Sequence, residues 1–345
     1  MRALYKKGPG ADASELLDRP IPQVDALDNV RVKVSACAVC GMDVHILHGK
    51  FKCAPPFVMG HEFVGRVETV GPGVTELKVG DRVVAQPHLY ACGHCEMCRL
   101  GFPQYCAEKR SLGIERDGAM AEYVALPERY LHRVPDSIPD ELCCLLEPMT
   151  ILVSDVIVYS KLRPGESVLI VGAGQIAQLA VVAAVAAGAG QVIVSGVAGD
   201  AEVRLPAARA LGADAVLNSM EEDVAERVLE LTGGRGVDLV VEASGAEAGI
   251  NAGLAALRTG GRMCVLGGTK RDSVQVHWDA ALRKMLRVDF HMMSDYQYMD
   301  RAIEIFAHPP RDLSPLVTHV APLEDWARIF DELTQGKGIK AVLTL

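Results

Sequence analysis

The chain has 345 residues, 50% of them apolar and 23% charged, an ordinary globular composition long enough for two domains. With 35 basic against 44 acidic residues the formal net charge is −9, which argues against nucleic acid or an anionic membrane surface as partner. Met1 to Lys7 reads as an edge strand rather than a signal segment. Its 10 cysteines therefore point to a reducing, cytoplasmic setting, where close thiols hold metal more often than they pair.

Residues 1–35 alternate in short apolar and polar runs, and Val30-Arg31-Val32-Lys33-Val34 is a period-two strand. Val64 to Val70, a Gly71-Pro72-Gly73 turn and Lys78 to Val84 continue the pattern, and Ala121–Leu126 and Tyr130–Val134 return to it. Short strands with frequent glycine turns predict a compact β-barrel. The less regular segment 86–117 holds a cysteine cluster.

Near Glu147 the character changes. A helical run over Thr150–Leu162 precedes strict alternation: strands Val168–Val171, Gln191–Ser195, Ala215–Leu217, Val237–Glu242 and Arg262–Leu266, with helices at 175–187, 201–211, 221–232 and 247–258. Such alternation predicts a parallel, doubly wound sheet in an α/β protein. The uncharged stretch from Ser167 to Gly199 is long enough to span a bilayer. Gly172, Gly174, Gly188 and Gly190 divide it, however, into strand, turn, helix, turn and strand. After about Val288 the rhythm ends, with helices expected near 299–307 and 323–335 and a last strand at Ala341–Leu345. The division expected is a catalytic domain of residues 1–153 and 291–345 and a dinucleotide domain of residues 154–290.

Gly172-Ala173-Gly174-Gln175-Ile176-Ala177 is G-x-G-x-x-A, directly after a buried strand and opening a helix. The first glycine makes the tight turn, the second admits a pyrophosphate to the backbone, and the helix start at Gln175 and Ile176 offers N–H groups to it. An acid at the end of the next strand would hold the ribose 2′-hydroxyl of NAD. Gly196 stands there instead, and with Arg204 close behind the balance tilts toward NADP.

Cys92, Cys95, Cys98 and Cys106 form C-x2-C-x2-C-x7-C, a set able to close a tetrahedron around a structural zinc. Cys40, followed by His61 and Glu62, offers a thiol, an imidazole and a carboxylate, which zinc accepts with one position left open. Cys37 with Cys40 also makes a C-x-x-C, but the strands here give no redox-motif context. Cys37, Cys53, Cys143, Cys144 and Cys264 are read as packing residues.

Cys40-Gly41-x-Asp43-Val44-His45, Gly60-His61-Glu62, the four-cysteine loop, Gly80-Asp81-Arg82-Val83, Glu147-Pro148 and Gly172-x-Gly174 occur in the order seen in the zinc-dependent medium-chain alcohol dehydrogenases. Over essentially its whole length the chain resembles that family, most closely the polyol (sorbitol-type) and threonine dehydrogenase branches. The resemblance implies a GroES-like β-barrel catalytic domain and a Rossmann nucleotide domain, with two zinc ions per chain and NADP or NAD as cofactor. It implies hydride transfer between that cofactor and a secondary alcohol or ketone, here a polyol, cyclitol or amino alcohol. By matching residue, Cys40, His61 and Glu62 would hold the catalytic zinc, with Glu147 a ligand or one water away. Asp43 would fix the His61 tautomer, and His45 would end a proton relay through the cofactor ribose. Ser244, Val265 and Leu266 would line the cofactor, and Lys340 would approach its pyrophosphate. Family members pair as homodimers or homotetramers through an edge strand, for which Ser273–Trp278 is the candidate.

The chain departs from the pattern in three places. Met42 replaces the Ser or Thr that hands the alcohol proton to the ribose. Ile46 and Leu47 stand where sorbitol-type enzymes have an aromatic polar residue, and the segment 291–295 lacks their substrate-facing arginine. These point away from sorbitol itself. Two rival readings stay open: a reductase of this fold without catalytic zinc, and a non-catalytic dinucleotide-binding protein.

Overall fold

The computed structural model describes residues 1–10, 13–24, 26–293 and 295–345. It resolves into two compact units: Met1–Glu147 with Asp295–Ala307 and Val317–Leu345, and Pro148–Ser294 with His308–Leu316. Residues 148–153, 291–293 and 308–316 thus go with the nucleotide unit, whereas the division expected from sequence placed them with the barrel. Among the described residues no helix is long and apolar enough to cross a membrane.

The first unit is organised by the strand Asn29–Val39. One edge pairs antiparallel with Glu62–Val70; the other pairs first with Tyr123–Pro127 and then with the C-terminal strand Ala341–Thr344. Val30, Val32 and Val34 are buried and Lys33 is exposed, the alternation expected of a strand with one wet face. The register shifts between Val34 and Ala36, and beyond it Cys37, Ala38 and Val39 are all buried. Bulges of this kind bend a strand and re-aim its continuation. Here the continuation is Cys40, which opens the short helix Gly41–Leu47, an element with too few residues to show a helical period in sequence.

The second unit is a six-stranded sheet of neighbours Ala215–Asn218, Gln191–Gly196, Ser167–Val171, Val237–Glu242, Leu257–Val265 and Arg287–Phe290, every pairing parallel. In chain order that is 3-2-1-4-5-6, the doubly wound arrangement. Ser167–Val171 and Val237–Glu242 are buried along their whole length, because helices cover both faces of a parallel sheet. The predicted strands and helices of this unit appear within three residues of their expected ends, except that the strand expected from Arg262 already begins at Leu257.

Three elements differ from expectation. The run over Thr150–Leu162 is an α-helix, Leu146–Leu152, continued by a π-helix, Val153–Tyr159, whose widened turn closes with Ser160 N–H on the carbonyl of Asp155 (2.9 Å). The segment expected as an edge strand forms none: residues 273–277 are irregular and Trp278 opens the helix Trp278–Arg283. The sheet edge is instead Arg287–Phe290, the sixth strand. Within 291–295, Ser294 lies outside the described residues.

Candidate metal centres and dinucleotide site

The cysteine loop closes on itself. One sulfur from each of Cys92, Cys95, Cys98 and Cys106 lies within 4.8 Å of all the others. Cys95 N–H donates to Cys92 Sγ (3.3 Å) and Cys92 N–H to Cys106 Sγ (3.4 Å). The second of these bonds favours a thiolate, bringing Cys106 down to about 6, while burial pushes Cys98 up to about 12. Four clustered sulfurs with backbone donors aimed at them fit a closed zinc tetrahedron.

The second grouping comes from three places in the sequence. Cys40 sits at the end of the central strand, and His61 and Glu62 begin its neighbour, the pairing of Ala38 with Glu62 bringing them alongside. One donor atom from each of the three lies within 4.8 Å of the other two. His61 follows Gly60, whose φ of +89° only glycine adopts without strain, and a Cβ there would strike Met120 Cγ at 2.6 Å and Cys37 Sγ at 2.8 Å. Gly118 packs so closely on the same turn that its own Cβ would fall 2.1 Å from Gly60 O. Backbone alone therefore fixes where the imidazole starts.

Cys40 N–H donates to Asp43 Oδ2 (2.9 Å), and Asp43 Oδ1 faces His61 Nδ1 at 3.7 Å, attractive but beyond hydrogen-bond reach. Burial raises the Cys40 thiol and the Asp43 carboxyl, because a dry site disfavours the charged thiolate and carboxylate. Burial would lower His61, but the Asp43 carboxylate and Cys40 outweigh it and raise the imidazole well above its ordinary range. Buried Asp43 Oδ1 and His61 Nδ1 make no hydrogen bond, and a half-buried Cys with a buried His and Glu within ligand distance fits a divalent ion of zinc's type.

Glu147 and His45 stand outside that grouping. Glu147 is buried on Leu146–Leu152, accepts a hydrogen bond from Tyr296 Oη (3.2 Å), and is pushed up to about 7 by burial. Met42 packs against the apolar core, Ile46 lies fully within it, and Leu47 is partly buried against it. Lys340 departs from its expected place: fully buried, it forms an ion pair with Glu62. The register explains this, since Ala341 lies opposite Val39 across the strand whose other edge carries Glu62.

Two residues with no signal in the sequence, Tyr296 and His88, join this unit's polar interior. The His88 ring meets the Tyr296 ring edge-on at 5.9 Å and reaches Ser111 Oγ at 3.3 Å, and burial takes the imidazole down to about 3. A histidine just before a cysteine loop carries no spacing signal, and Tyr296 lies 149 positions from the carboxylate it touches.

In the second unit, Gly172 (φ +108°) turns tightly at the end of the first strand, where a Cβ would lie 3.3 Å from Ser244 N. Beyond Gly174, which caps the helix Gln175–Ala186, there is open space where its Cβ would point, and no side chain caps that helix. Gln175 and Ile176 form its first turn. This opening, in front of a helix N-terminus at the point where the sheet order reverses, fits a dinucleotide pyrophosphate. Ser244 is held by Glu242, a residue to which the motifs gave no role. Fully buried at the end of its strand, Glu242 accepts from Ser244 N–H (2.9 Å), Ser244 Oγ–H and Gly245 N–H (3.0 Å). Its backbone carbonyl accepts from Leu266 N–H (2.8 Å), the residue after half-buried Val265. An acid ending an otherwise apolar strand was the visible signal. Arg204, expected as a phosphate contact, places Nη1 3.0 Å from Asp200 Oδ1.

Residues 26–136 match the alcohol dehydrogenase GroES-like domain family and residues 176–308 the zinc-binding dehydrogenase family. The chain is 32% identical over 345 residues to D-arabitol-phosphate dehydrogenase of Enterococcus avium, covering 99% of this chain and 97% of that one. It is 38% identical over 355 residues to L-threonine 3-dehydrogenase of Pyrococcus abyssi, covering 100% and 99%. The chain belongs to the zinc-dependent medium-chain alcohol dehydrogenase family. Among solved structures, a protein described as a zinc-binding dehydrogenase from Sinorhizobium meliloti 1021, bound to NADP, superposes with a TM-score of 0.92 at 27% identity, covering 100% of this chain and 99% of that one. As a member of this family the protein is an NAD(P)-dependent zinc dehydrogenase acting on CH–OH groups.

Proposed function

We propose that this dehydrogenase oxidises a secondary alcohol flanked by further hydroxyl or amino groups, a polyol, cyclitol or amino alcohol, at the Cys40, His61 and Glu62 site. One observation carries the reading: three ligand types from separate stretches of chain, each buried or half-buried, meet within 4.8 Å. Such a set has little structural purpose beside a complete four-thiol site. Zinc held there would supply Lewis acidity toward the substrate oxygen, and a bound nicotinamide would take up or return the hydride. The chain's own part is to position and to move protons. Asp43 steadies His61 electrostatically, and Lys340 keeps Glu62 in place from behind. Met42 has no exchangeable hydrogen, so the proton cannot leave by a hydroxyl at that position. Glu147, held by Tyr296 and within the electrostatic reach of His61, is the group proposed to take it. His45 is proposed as the outer end of any path through the ribose.

Relatives named for an arabitol phosphate, sorbitol and threonine support the substrate class without choosing among its members. The buried Ile46 argues for a substrate contact surface unlike that of sorbitol-type enzymes. We also infer that two copies of the chain associate through the exposed edge of the six-stranded sheet. The deciding experiment measures zinc per chain and then turnover over polyols, polyol phosphates, cyclitols and β-hydroxy amino acids. The expected result is two zinc ions per chain and activity within that panel. Cys40→Ser is expected to lose about one zinc and all turnover while still binding dinucleotide. One zinc per chain in fully loaded protein, or full activity in Cys40→Ser, would overturn the assignment.

A further inference from the structure

We propose that Asp200 sets the choice between the two nicotinamide cofactors and turns this site toward NAD. The proposal rests on the dinucleotide site described above and goes on to its 2′ end. In a doubly wound sheet the adenine ribose lies just past the carboxyl end of the second strand, here Gln191–Gly196. Gly196 occupies the position where an acid would read the ribose, which by itself suggests tolerance of a 2′-phosphate. The geometry gives the glycine a different meaning. A Cβ on Gly196 would stand 2.9 Å from Asp200 Oδ2 and 3.0 Å from Leu205 Cδ2. The carboxylate missing at position 196 is therefore present in space, brought back by the single 3-10 turn Ala198–Asp200 and touching the place where the Gly196 side chain would begin.

Asp200 is fixed there from two sides. Val197 N–H donates to Oδ2 (2.9 Å), and Arg204 Nη1 donates to Oδ1 (3.0 Å). Arg204 is itself tethered, because its backbone carbonyl accepts from Gln178 Nε2 (2.9 Å) on the pyrophosphate-side helix. A 2′-phosphate carries about −1.5 to −2 charge. To reach Arg204 it would have to draw the guanidinium off a buried carboxylate, leaving that charge without its cation. It would also approach the like-charged Asp200 carboxylate, and the two would repel. A 2′-hydroxyl meets neither obstacle and can donate to the carboxylate. The arginine that looks like a phosphate anchor in the sequence is thus the counter-ion of a hydroxyl-reading acid.

The test uses zinc-loaded full-length enzyme and two fragments that isolate the 2′ position: AMP, and adenosine carrying phosphates at both 2′ and 5′. Calorimetric titration gives the ratio of their dissociation constants, and initial rates with NAD and NADP give the matching ratio of kcat/KM. Wild type is expected to bind AMP at least about tenfold tighter than the bisphosphate. Asp200→Asn keeps an acceptor for Val197 N–H, removes the charge and releases Arg204; it is expected to shift both ratios toward the phosphate by about tenfold or more. Arg204→Met, with the acid retained, is expected to keep the preference for AMP. Preference of wild type for the bisphosphate, or an unchanged ratio in Asp200→Asn with AMP still bound, overturns the role of Asp200. Binding of neither fragment by wild type fails differently: it removes the dinucleotide site, and the proposal with it.

Discussion

Lys340 and Glu62 are both withdrawn from solvent, and each is the other's counter-charge. Two charges taken out of water lose several kcal/mol of hydration apiece, and removing one of such a pair usually costs about 3–5 kcal/mol because the survivor is left buried and uncompensated. Lys340→Met is therefore expected to lower stability by about that amount in urea unfolding of protein whose Cys40, His61 and Glu62 site holds no metal, since a zinc ion there would itself compensate Glu62. A lysine whose whole role were to meet a cofactor pyrophosphate would leave the unfolding midpoint of cofactor-free enzyme unchanged, so an unshifted midpoint refutes this account. The contrast shows which residues can be read from sequence. Cys92, Cys95, Cys98 and Cys106 declare themselves because a closed metal loop is local and its spacing is its geometry. Gly172 and Gly174 do so for the same reason. Lys340 with Glu62, and Tyr296 with Glu147, meet only through strand register or a returning segment, and no spacing encodes that. Asp200 lay in view in the sequence, but only the turn that carries it back to Gly196 shows what it faces.

Elements divide in the same way. Buried parallel strands are continuous apolar runs, so Ser167–Val171 and Val237–Glu242 are visible at once. The edge strand Arg287–Phe290 alternates polar and apolar residues, is mostly exposed, and looks like a loop. Among the polar groups inside the sheet, Asp238 ties three elements together. It accepts from Ser167 N–H and Ser167 Oγ–H (both 2.9 Å) on the first strand, and from Arg235 Nη2 (2.8 Å) and Arg258 Nε (2.6 Å). Burial would raise its carboxyl, but the hydrogen bonds from Arg235, Arg258 and Ser167 win and hold it well below the ordinary value of 3.8. As pH falls, the unfolded chain therefore takes up this proton before the folded one does. The stabilisation is complete above the ordinary value, fades as pH drops from there toward the depressed one, and is gone below it. Asp238→Asn is expected to cost about 2 kcal/mol at pH 7, less than a fully buried pair because both arginines reach solvent. The gap between wild type and variant in urea unfolding should hold from pH 7 to about 5 and narrow below about 4. A gap that stayed constant down to pH 3 would assign the effect to lost packing rather than to the charge.

At the scale of the whole molecule, the six-stranded sheet stops at Arg287–Phe290, a strand that among the described residues has a partner on one side only. Natural proteins cover, charge or shorten such edges, since unpaired N–H and C=O groups recruit other strands. This short edge is charged on one face by Arg287 and Asp289, but the other face is apolar. Phe290 is 80% exposed and Val288 is exposed beside it in the strand, while the helix just before it shows Trp278 at 73% together with Leu282, and Met285 comes next. Several large apolar side chains exposed within one short stretch mark an interaction surface rather than ordinary scatter. A second copy related by a two-fold axis satisfies both needs at once, because one strand can pair with its own image while the apolar side chains face each other. Light scattering on size-fractionated protein is thus expected to give at least twice the chain mass at micromolar concentration. The double substitution Trp278→Glu with Phe290→Lys should give a folded species of single-chain mass, its far-ultraviolet circular dichroism unchanged. A wild-type protein that runs as a monomer, or a double variant that still associates, would move the contact away from this edge. Such a result would leave the metal and nucleotide sites standing, because every residue assigned to them lies outside the segment 276–290.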